Sequence, residues 1–309
     1  DPSDNSIDFQ ATPFPTPPTA SKRITILVTG IDSGNGRNHA LTDTIMLVSV
    51  DPDTGKVAML SFPRDISDFP LWDGRTYRGK INSFMTWART NPDEFPDGPL
   101  PSLVRELGFL LGAPIHYYAA VDLAGFRRMI DAVGGVEVEV EKALNDARYD
   151  WLDGRRGFQL SAGTHVLDGE TALAYVRSRY SPGDNDFNRA RRQQQVLLSL
   201  RRALTEPAML PRIPELVEIG GDTIRTNFPS DRIGEMLALA GGVDDGAVRR
   251  YVLGPPYAVN PPASETGGVY RLRLDMDRLA ALSIDIFGED SAYAAGASDP
   301  GASPGSSAP

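Results

Sequence analysis

Between Arg177 and Arg192 the chain places arginines at 177, 179, 189, 191 and 192 against only two acids, Asp184 and Asp186. The planar guanidinium fork suits bidentate contact with phosphate, so this density points to an anionic ligand. A solvated basic rim is the plain alternative. Arg189, Gln193 and Val196 fall at i, i+4 and i+7, and Leu200 and Leu204 continue the same face. Arg189 and Gln193 therefore extend a core-facing stripe of the helix expected over 187–204. Polar groups on such a stripe need partners, either a ligand or an internal carboxylate such as Asp186. Asp186 could instead cap the helix.

Two acids end or open expected strands, in Gly30-Ile31-Asp32 and Thr42-Asp43-Thr44. Brought together across neighbouring strands, Asp32 and Asp43 would suit a hard, oxygen-seeking cation such as Mg²⁺. Ordinary loop acids are the competing explanation for each. Pro63-Arg64-Asp65 follows the run Val57 to Phe62, so Arg64 sits at a strand's C-terminal end, where open α/β sheets bind ligands. Lys80-Ile81-Asn82 adds another cation. Cations and carboxylates, without histidine or cysteine, fit phosphoryl or pyrophosphoryl chemistry. In that chemistry a carboxylate takes the proton of an attacking hydroxyl.

Composition narrows the field further. The 309 residues carry 41 acidic and 31 basic side chains, a formal charge of −10, which disfavours a nucleic-acid-coating role. Cysteine is absent, which removes disulfides, thiolate metal sites and cysteine nucleophiles. The three histidines, His39, His116 and His165, are far apart and lack zinc-ligand spacing. No run of 18 or more apolar residues occurs, so no bilayer-spanning helix is expected. The chain starts at Asp1, which suggests a processed product whose N-terminal anchor has been removed.

These groups need a scaffold. Residues 1–21 read as a proline-rich stalk, with Pro13, Pro15, Pro17 and Pro18, and 290–309 as a disordered Ala/Gly/Ser/Pro tail. The folded domain is expected over 22–289. Strands are expected at Ile24 to Gly30, Thr44 to Val50 and Val57 to Phe62, the last two joined as a hairpin through Asp51-Pro52-Asp53-Thr54-Gly55. Helices are expected at Ser102 to Leu111, at Leu123 to Val133 after an Asp122 cap, and near Ser230 to Ala240. Val136 to Val140 alternates as a half-exposed strand, and Val248 to Leu253 reads as another. Ala174-Tyr175-Val176 also reads as a strand, which would set Arg177 and Arg179 on one face. The sum is a single α/β domain, a sheet with helices on both faces.

Six ordered stretches carry a resemblance: TDTIMLVSVDP (42–52), SFPRD (61–65), KIN (80–82), HYYAAVDLAGFRRMIDAVGGVEVEV (116–140), LDGETALAYVRSR (167–179) and DFNRARRQQQ (186–195). In these the chain resembles the LytR-CpsA-Psr family of bacterial cell-wall ligases. The likeness runs from about Ile24 to Leu204, with a weaker continuation to about Ile286.

The resemblance implies a three-layer α/β/α sandwich with a central mixed sheet and a long apolar groove. It implies a phosphotransferase on the outer face of the cytoplasmic membrane, held by an N-terminal anchor. Such an enzyme moves a glycopolymer (teichoic acid, capsule or arabinogalactan) from a polyprenyl-pyrophosphate carrier onto peptidoglycan and releases polyprenyl phosphate. Mg²⁺ assists, with Mn²⁺ as a substitute.

Position by position, Asp32 and Asp43 match the family's metal-associated acids. Arg64, Lys80, Arg177 and Arg179 match its pyrophosphate-binding cations, and Asp186, Arg189 and Gln193 match the motif opening the next helix. Asp65 and Asp186 are the candidate bases. One departure is Leu41, where many members carry arginine; Arg37 is a candidate substitute. The segment 68–101 is a candidate lid or acceptor-binding loop. A polyprenyl-pyrophosphate hydrolase and a non-catalytic lipid- or glycan-binding or regulatory protein are the alternative functions.

Overall fold

β-Branched and aliphatic runs set the centre of the fold. Each favours extended backbone and packs well on a pleated surface. The structure, a computed structural model, describes residues 22–32, 41–221 and 224–297. The proline-rich stalk, Arg37, His39 and the last twelve residues lie outside the described residues. The first runs form β1 (Ile24–Asp32), β2 (Leu41–Val50) and β3 (Val57–Ser61). β2 and β3 pair antiparallel as expected, and the Asp51 carboxylate closes their turn by accepting from the Asp53 and Thr54 amides.

Next come the hairpin β4 (Ser67–Pro70) and β5 (Thr76–Lys80), then α1 (Phe84–Thr90) and α2 (Pro99–Leu111). The region 68–101 is thus a packed unit. Phe69, Tyr77, Phe84, Trp87 and Phe95 form one aromatic cluster continuous with the main core. Its contribution to the site is Lys80, delivered at the end of β5.

β6 (Tyr117–Asp122) leads straight into α3 (Leu123–Ala132), whose cap is Asp122, accepting from the Gly125 amide at 2.6 Å. β7 (Val136–Val140) alternates buried and exposed as expected. The hairpin β8 (Leu144–Asp150) and β9 (Arg156–Leu160) follows, then β10 (Gly163–Leu167), which pairs with β7. α4 (Gly169–Arg177) comes next, then α5 (Asp186–Thr205), α6 (Ile213–Gly221), β11 (Ile224–Thr226), α7 (Ile233–Gly241) and β12 (Val248–Val252). The chain closes with β13 (Ala258–Val259), α8 (Ala263–Thr266), β14 (Arg273–Leu274), α9 (Met276–Phe287) and α10 (Ala292–Ala297).

The central sheet has six strands in the order β11-β6-β1-β2-β3-β12. β6, β1, β3 and β12 run one way, and β2 and β11 run against them. One face packs Leu27, Leu47 and Leu60 against Phe84, Leu103, Leu107, Leu279 and Leu282 from α1, α2 and α9. The other face carries α3, α5, α6 and α7, with Leu197, Leu198 and Leu239 seated against Met46, Val50, Val57 and Met59. The three-layer α/β/α sandwich with a mixed sheet is therefore what the chain forms.

Two expectations need correction. Ala174-Tyr175-Val176 is not a strand but the last turns of α4, all three residues buried between α3 and α5. A short helix buried on most sides shows a continuous apolar run, which imitates a strand. Gly169 allows the close α3–α4 crossing, since a Cβ there would collide with the Arg127 carbonyl oxygen.

The second correction concerns the C-terminal boundary. Residues 291–294 belong to the fold, not to a tail beginning at 290. Ser291 is buried against the Ser283 hydroxyl, the Ala292 amide donates to Gly112 O at 2.7 Å, and the Tyr293 hydroxyl donates to Leu110 O at 2.8 Å. Small residues hid these contacts in the sequence. Tyr293→Ala should lower stability by about 2 kcal/mol, the cost of losing a largely buried aromatic side chain. Urea unfolding checks this, and an unchanged midpoint would make the segment an ornament.

Candidate active site

The C-terminal ends of β1 and β3 and the start of β2 share one edge of the sheet. Here the chain leaves β3 through Pro63 and places Arg64 on the edge. The Arg64 Nη1 lies 3.5 Å from Asp43 Oδ1, and its Nε lies 3.8 Å from carboxylate oxygens of both Asp65 and Asp186. Lys80, arriving on β5, pairs with Asp65 at 2.5 Å. Arg189, one turn into α5, is 4% exposed. Its Nη2 contacts Asp186 Oδ1 at 2.9 Å and donates to the Asp43 carbonyl at 3.3 Å.

Asp186 does not cap α5. Asn185 does, accepting from the Asn188 amide at 2.9 Å. That leaves the Asp186 carboxylate as the internal counter-charge of Arg189 and Arg64. Three cations and three carboxylates thus interlock: Arg64, Lys80 and Arg189 with Asp43, Asp65 and Asp186. Burial holds the Arg189 pKa below its ordinary value, with Asp186 and Asp43 opposing the shift only in part; a guanidinium stays cationic in proteins all the same. Among the described residues, the Nε atoms of Arg64 and Arg189 are buried donors with no hydrogen-bond acceptor. Buried donors left unpaired are costly, and at this spot they mark where an anion's oxygens would be welcome.

The remaining arginines divide. Arg192 is structural, bonding Tyr175 O, Ser178 O and the Asp184 carboxylate. Arg191 bonds the Asn188 side chain. Arg177 stands over the Tyr149 ring, 6.0 Å from its centroid. Arg179 is close enough to Arg189 for their charges to repel. Gln193 donates to Val176 O at 3.3 Å, tying α5 to the last turn of α4.

Asp146, on β8, was not visible as a site residue in the sequence. It is 1% exposed and accepts from the Ser178 hydroxyl (2.9 Å) and the Arg179, Tyr180 and Arg148 amides (3.0, 3.1 and 3.0 Å). This knot sets the backbone from which Arg179 projects. No local pattern announces it, because most of its partners come from the segment after α4.

Asp43 is the carboxylate through which a hard cation fits. It is the most exposed of the three acids and touches Arg64 only loosely. Asp32 pairs with Leu41 in the β1–β2 register, next to the start of Asp43's strand; its side chain lies outside the described residues. Among the described residues no three acids or histidines cluster to hold a metal alone. One or two carboxylates plus phosphate oxygens are the usual Mg²⁺ arrangement. His116 plays no part, since its Nδ1 accepts from the Thr25 amide at 3.0 Å. Leu41 is exposed at the start of β2.

Below the cluster the sheet is apolar and incompletely covered. On β1, Thr25, Leu27, Thr29 and Ile31 are buried on one face, while Ile24, Ile26 and Val28 on the other are only half-buried. Across the sheet, Tyr117 and Val48 lie level with Ile26, and Ala119 with Val28; all three are half-buried too. α7 (IGEMLALAG) has no buried residue, although six of its nine residues are Ile, Met, Leu or Ala. On α6, Ile213, Leu216 and Ile219 are likewise half-buried. Helices this apolar ordinarily bury a full face.

Burial alone would raise the Asp146 pKa, but its four hydrogen bonds outweigh burial and hold the carboxyl below its ordinary value. A depressed folded pKa gives stability that is complete above the unfolded value, about 4, and is lost as pH falls through the folded one. Asp146→Asn should therefore cost about 2 kcal/mol at pH 7 and less near pH 3. Urea midpoints at both pH values check this, and a penalty equal at both would mean that charge is not what ties the knot.

Comparison with known proteins gives the family and the fold. The LytR_cpsA_psr family model matches residues 3–250. Regulatory protein MsrR of Staphylococcus aureus is 33% identical over 229 residues, 73% of this chain and 63% of the relative. The chain therefore spans less than two thirds of that relative's length. The polyisoprenyl-teichoic acid–peptidoglycan teichoic acid transferase TagU of Oceanobacillus iheyensis is 28% identical over 237 residues, 77% of this chain and 69% of the relative. The crystal structure of B. subtilis TagV superposes with a TM-score of 0.68 at 22% identity, covering 87% of this chain and 98% of that one. TagT bound to LIIa-WTA superposes at 0.62 with 22% identity, over 87% and 91%. These two likenesses speak for the fold. On the family match and the MsrR identity together, the chain belongs to the LytR-CpsA-Psr family.

Proposed function

We propose that this domain transfers a glycopolymer from a polyprenyl-pyrophosphate carrier to peptidoglycan and releases polyprenyl phosphate. The observation that carries the reading is the pairing of two features on one sheet. A cluster of three cations sits at its edge, and a half-covered apolar face runs away beneath it. That combination fits an amphiphile with an anionic head and a long hydrocarbon tail better than a free sugar phosphate. The TagU relative, a teichoic acid transferase by name, supports the same class of donor and acceptor.

In this reading Arg64, Lys80 and Arg189 exchange their carboxylate partners for pyrophosphate oxygens. An acceptor hydroxyl attacks the sugar-linked phosphorus. The bond to the bridging oxygen breaks, and polyprenyl phosphate leaves with the electron pair. The hydroxyl proton passes to Asp65 or Asp186, whichever carboxylate Arg64 and its neighbours have released. Fixed guanidinium groups stabilise the charge that develops on the equatorial oxygens. Asp43, and Asp32 as the resemblance implies, would hold Mg²⁺ together with phosphate oxygens; the ion would supply further charge neutralisation.

The reading puts the domain at the extracytoplasmic face of the membrane, where both lipid carrier and peptidoglycan are reached. Among the described residues no helix is long and apolar enough to cross a membrane. The name of the S. aureus relative favours a second reading, a regulator that binds lipid or glycan without turnover. The intact acid–cation cluster argues for chemistry.

The deciding assay follows polyprenyl phosphate release from a polyprenyl-pyrophosphoryl sugar, with and without Mg²⁺ and peptidoglycan fragments. Release should require the acceptor, rise with Mg²⁺ and fall at least about 100-fold in Arg64→Ala. Equal release without acceptor would make the protein a hydrolase. Tight lipid binding with no release would leave the regulatory reading.

A further inference from the structure

One wall of the site comes from a segment beyond residue 250, where the family match ends. After α8, Gly267 and Gly268 take φ of +61° and +79°, a left-handed pair that turns the chain back toward the sheet edge. The returning strand is then fixed along the Arg64–Ser67 backbone. The Leu272 amide donates to Asp65 O at 2.9 Å, and the Ser67 amide donates to Leu272 O at 2.8 Å. The bridge between Ile66 and Leu272 is parallel, so Tyr270 comes level with Arg64. Arg271 secures the segment from the other side, donating to Arg78 O at 2.9 Å and facing Asp68 at 3.6 Å.

Tyr270 is therefore an aromatic side chain on an anchored backbone at the rim of the charged cluster. It is 48% exposed, while Leu272 two residues on is buried. Partial burial, then the neighbouring charges of Asp65 and Asp186, raise its phenol pKa, so the hydroxyl stays protonated. A protonated phenol is a hydrogen-bond donor and not a base. Its ring is an amphipathic surface of the kind that binding sites use for ligands with one apolar and one polar aspect.

We propose that Tyr270 is the carbohydrate subsite of this domain: its ring packs on the C–H face of the pyranose next to the reacting phosphate, and its hydroxyl donates to that sugar. The proposal rests on the transfer reading, because only a sugar-bearing phosphate puts a pyranose there. The sugar belongs either to the donor or to the acceptor, and the two leave different signatures.

The test is calorimetric binding by the wild type, Tyr270→Ala and Tyr270→Phe. Three ligands are used: sugar-free polyprenyl pyrophosphate, a polyprenyl-pyrophosphoryl disaccharide and a soluble peptidoglycan fragment. Tyr270→Ala should bind one sugar ligand about ten-fold more weakly and the sugar-free lipid as the wild type does. Tyr270→Phe should keep most of the affinity, since the ring remains. Weakening confined to the lipid-linked disaccharide assigns the donor sugar; weakening confined to the fragment assigns the acceptor. Unchanged binding of all three by Tyr270→Ala would overturn the subsite, as would an equal loss of all three. A wild type that binds no polyprenyl pyrophosphate would instead bring down the transfer reading itself.

Discussion

A guanidinium taken out of water must find both opposite charge and hydrogen-bond acceptors, and Arg189 is almost wholly out of water. It finds them in Asp186, three residues earlier on the same helix, and in the Asp43 carbonyl at the start of β2. The first turn of α5 is thereby pressed against the sheet edge. Further along, the Gln194 side chain donates to the Ser61 hydroxyl and to Tyr251 O, and the Ser199 hydroxyl donates to Glu137 O. The helix cannot slide without breaking all of these. Arg64 and Asp65, which follow Ser61 directly, are brought to Asp186 by the same constraint.

The charge pattern has its own logic. Three cations packed together would repel, and three carboxylates keep them close. A pyrophosphate head enters such a site by partner exchange rather than by falling onto a bare positive surface. A small inorganic anion must break the Lys80–Asp65 and Arg189–Asp186 pairs for what it gains at the unpaired Nε atoms of Arg64 and Arg189. A ligand that also covers the apolar face of β1 and β6 adds a second, independent contribution. Selectivity for a lipid-linked phosphate then follows from the sum of two modest terms, neither sufficient alone.

Much of this was legible in the sequence where chemistry and period coincide. Arg189 and Gln193 interrupt an apolar stripe, and Arg64 stands just past a strand; both signals are local. The run Ala174-Tyr175-Val176 reads as a strand because the short buried end of α4 shows no helical period, and that reading set Arg177 and Arg179 on one face. The sequence left Asp186 open as either the cap of α5 or an internal counter-charge, because Asn185 and Asp186 suit a cap equally well; the structure gives the cap to Asn185. Asp146 and Tyr270 gave no signal at all. Each matters through partners distant in the chain, and an aspartate in a strand or a tyrosine in a glycine-rich turn looks ordinary until the fold closes. Leu41 stands exposed at the start of β2, and Arg37, the candidate substitute for the arginine that the resemblance leads one to expect there, lies outside the described residues.

The half-covered face formed by Ile24, Ile26, Val28 and the helix α7 leaves hydrocarbon in contact with water whenever no tail lies on it. Any alkyl chain that occupies it binds the folded form and not the unfolded one, and so shifts the folding equilibrium by mass action. Detergent monomers have such chains, and so does every lipid released during extraction. An unfolding temperature recorded in detergent would therefore belong to an assembly of protein and amphiphile, and would move with the amphiphile's concentration and chain length. For this domain, thermal stability is a titration.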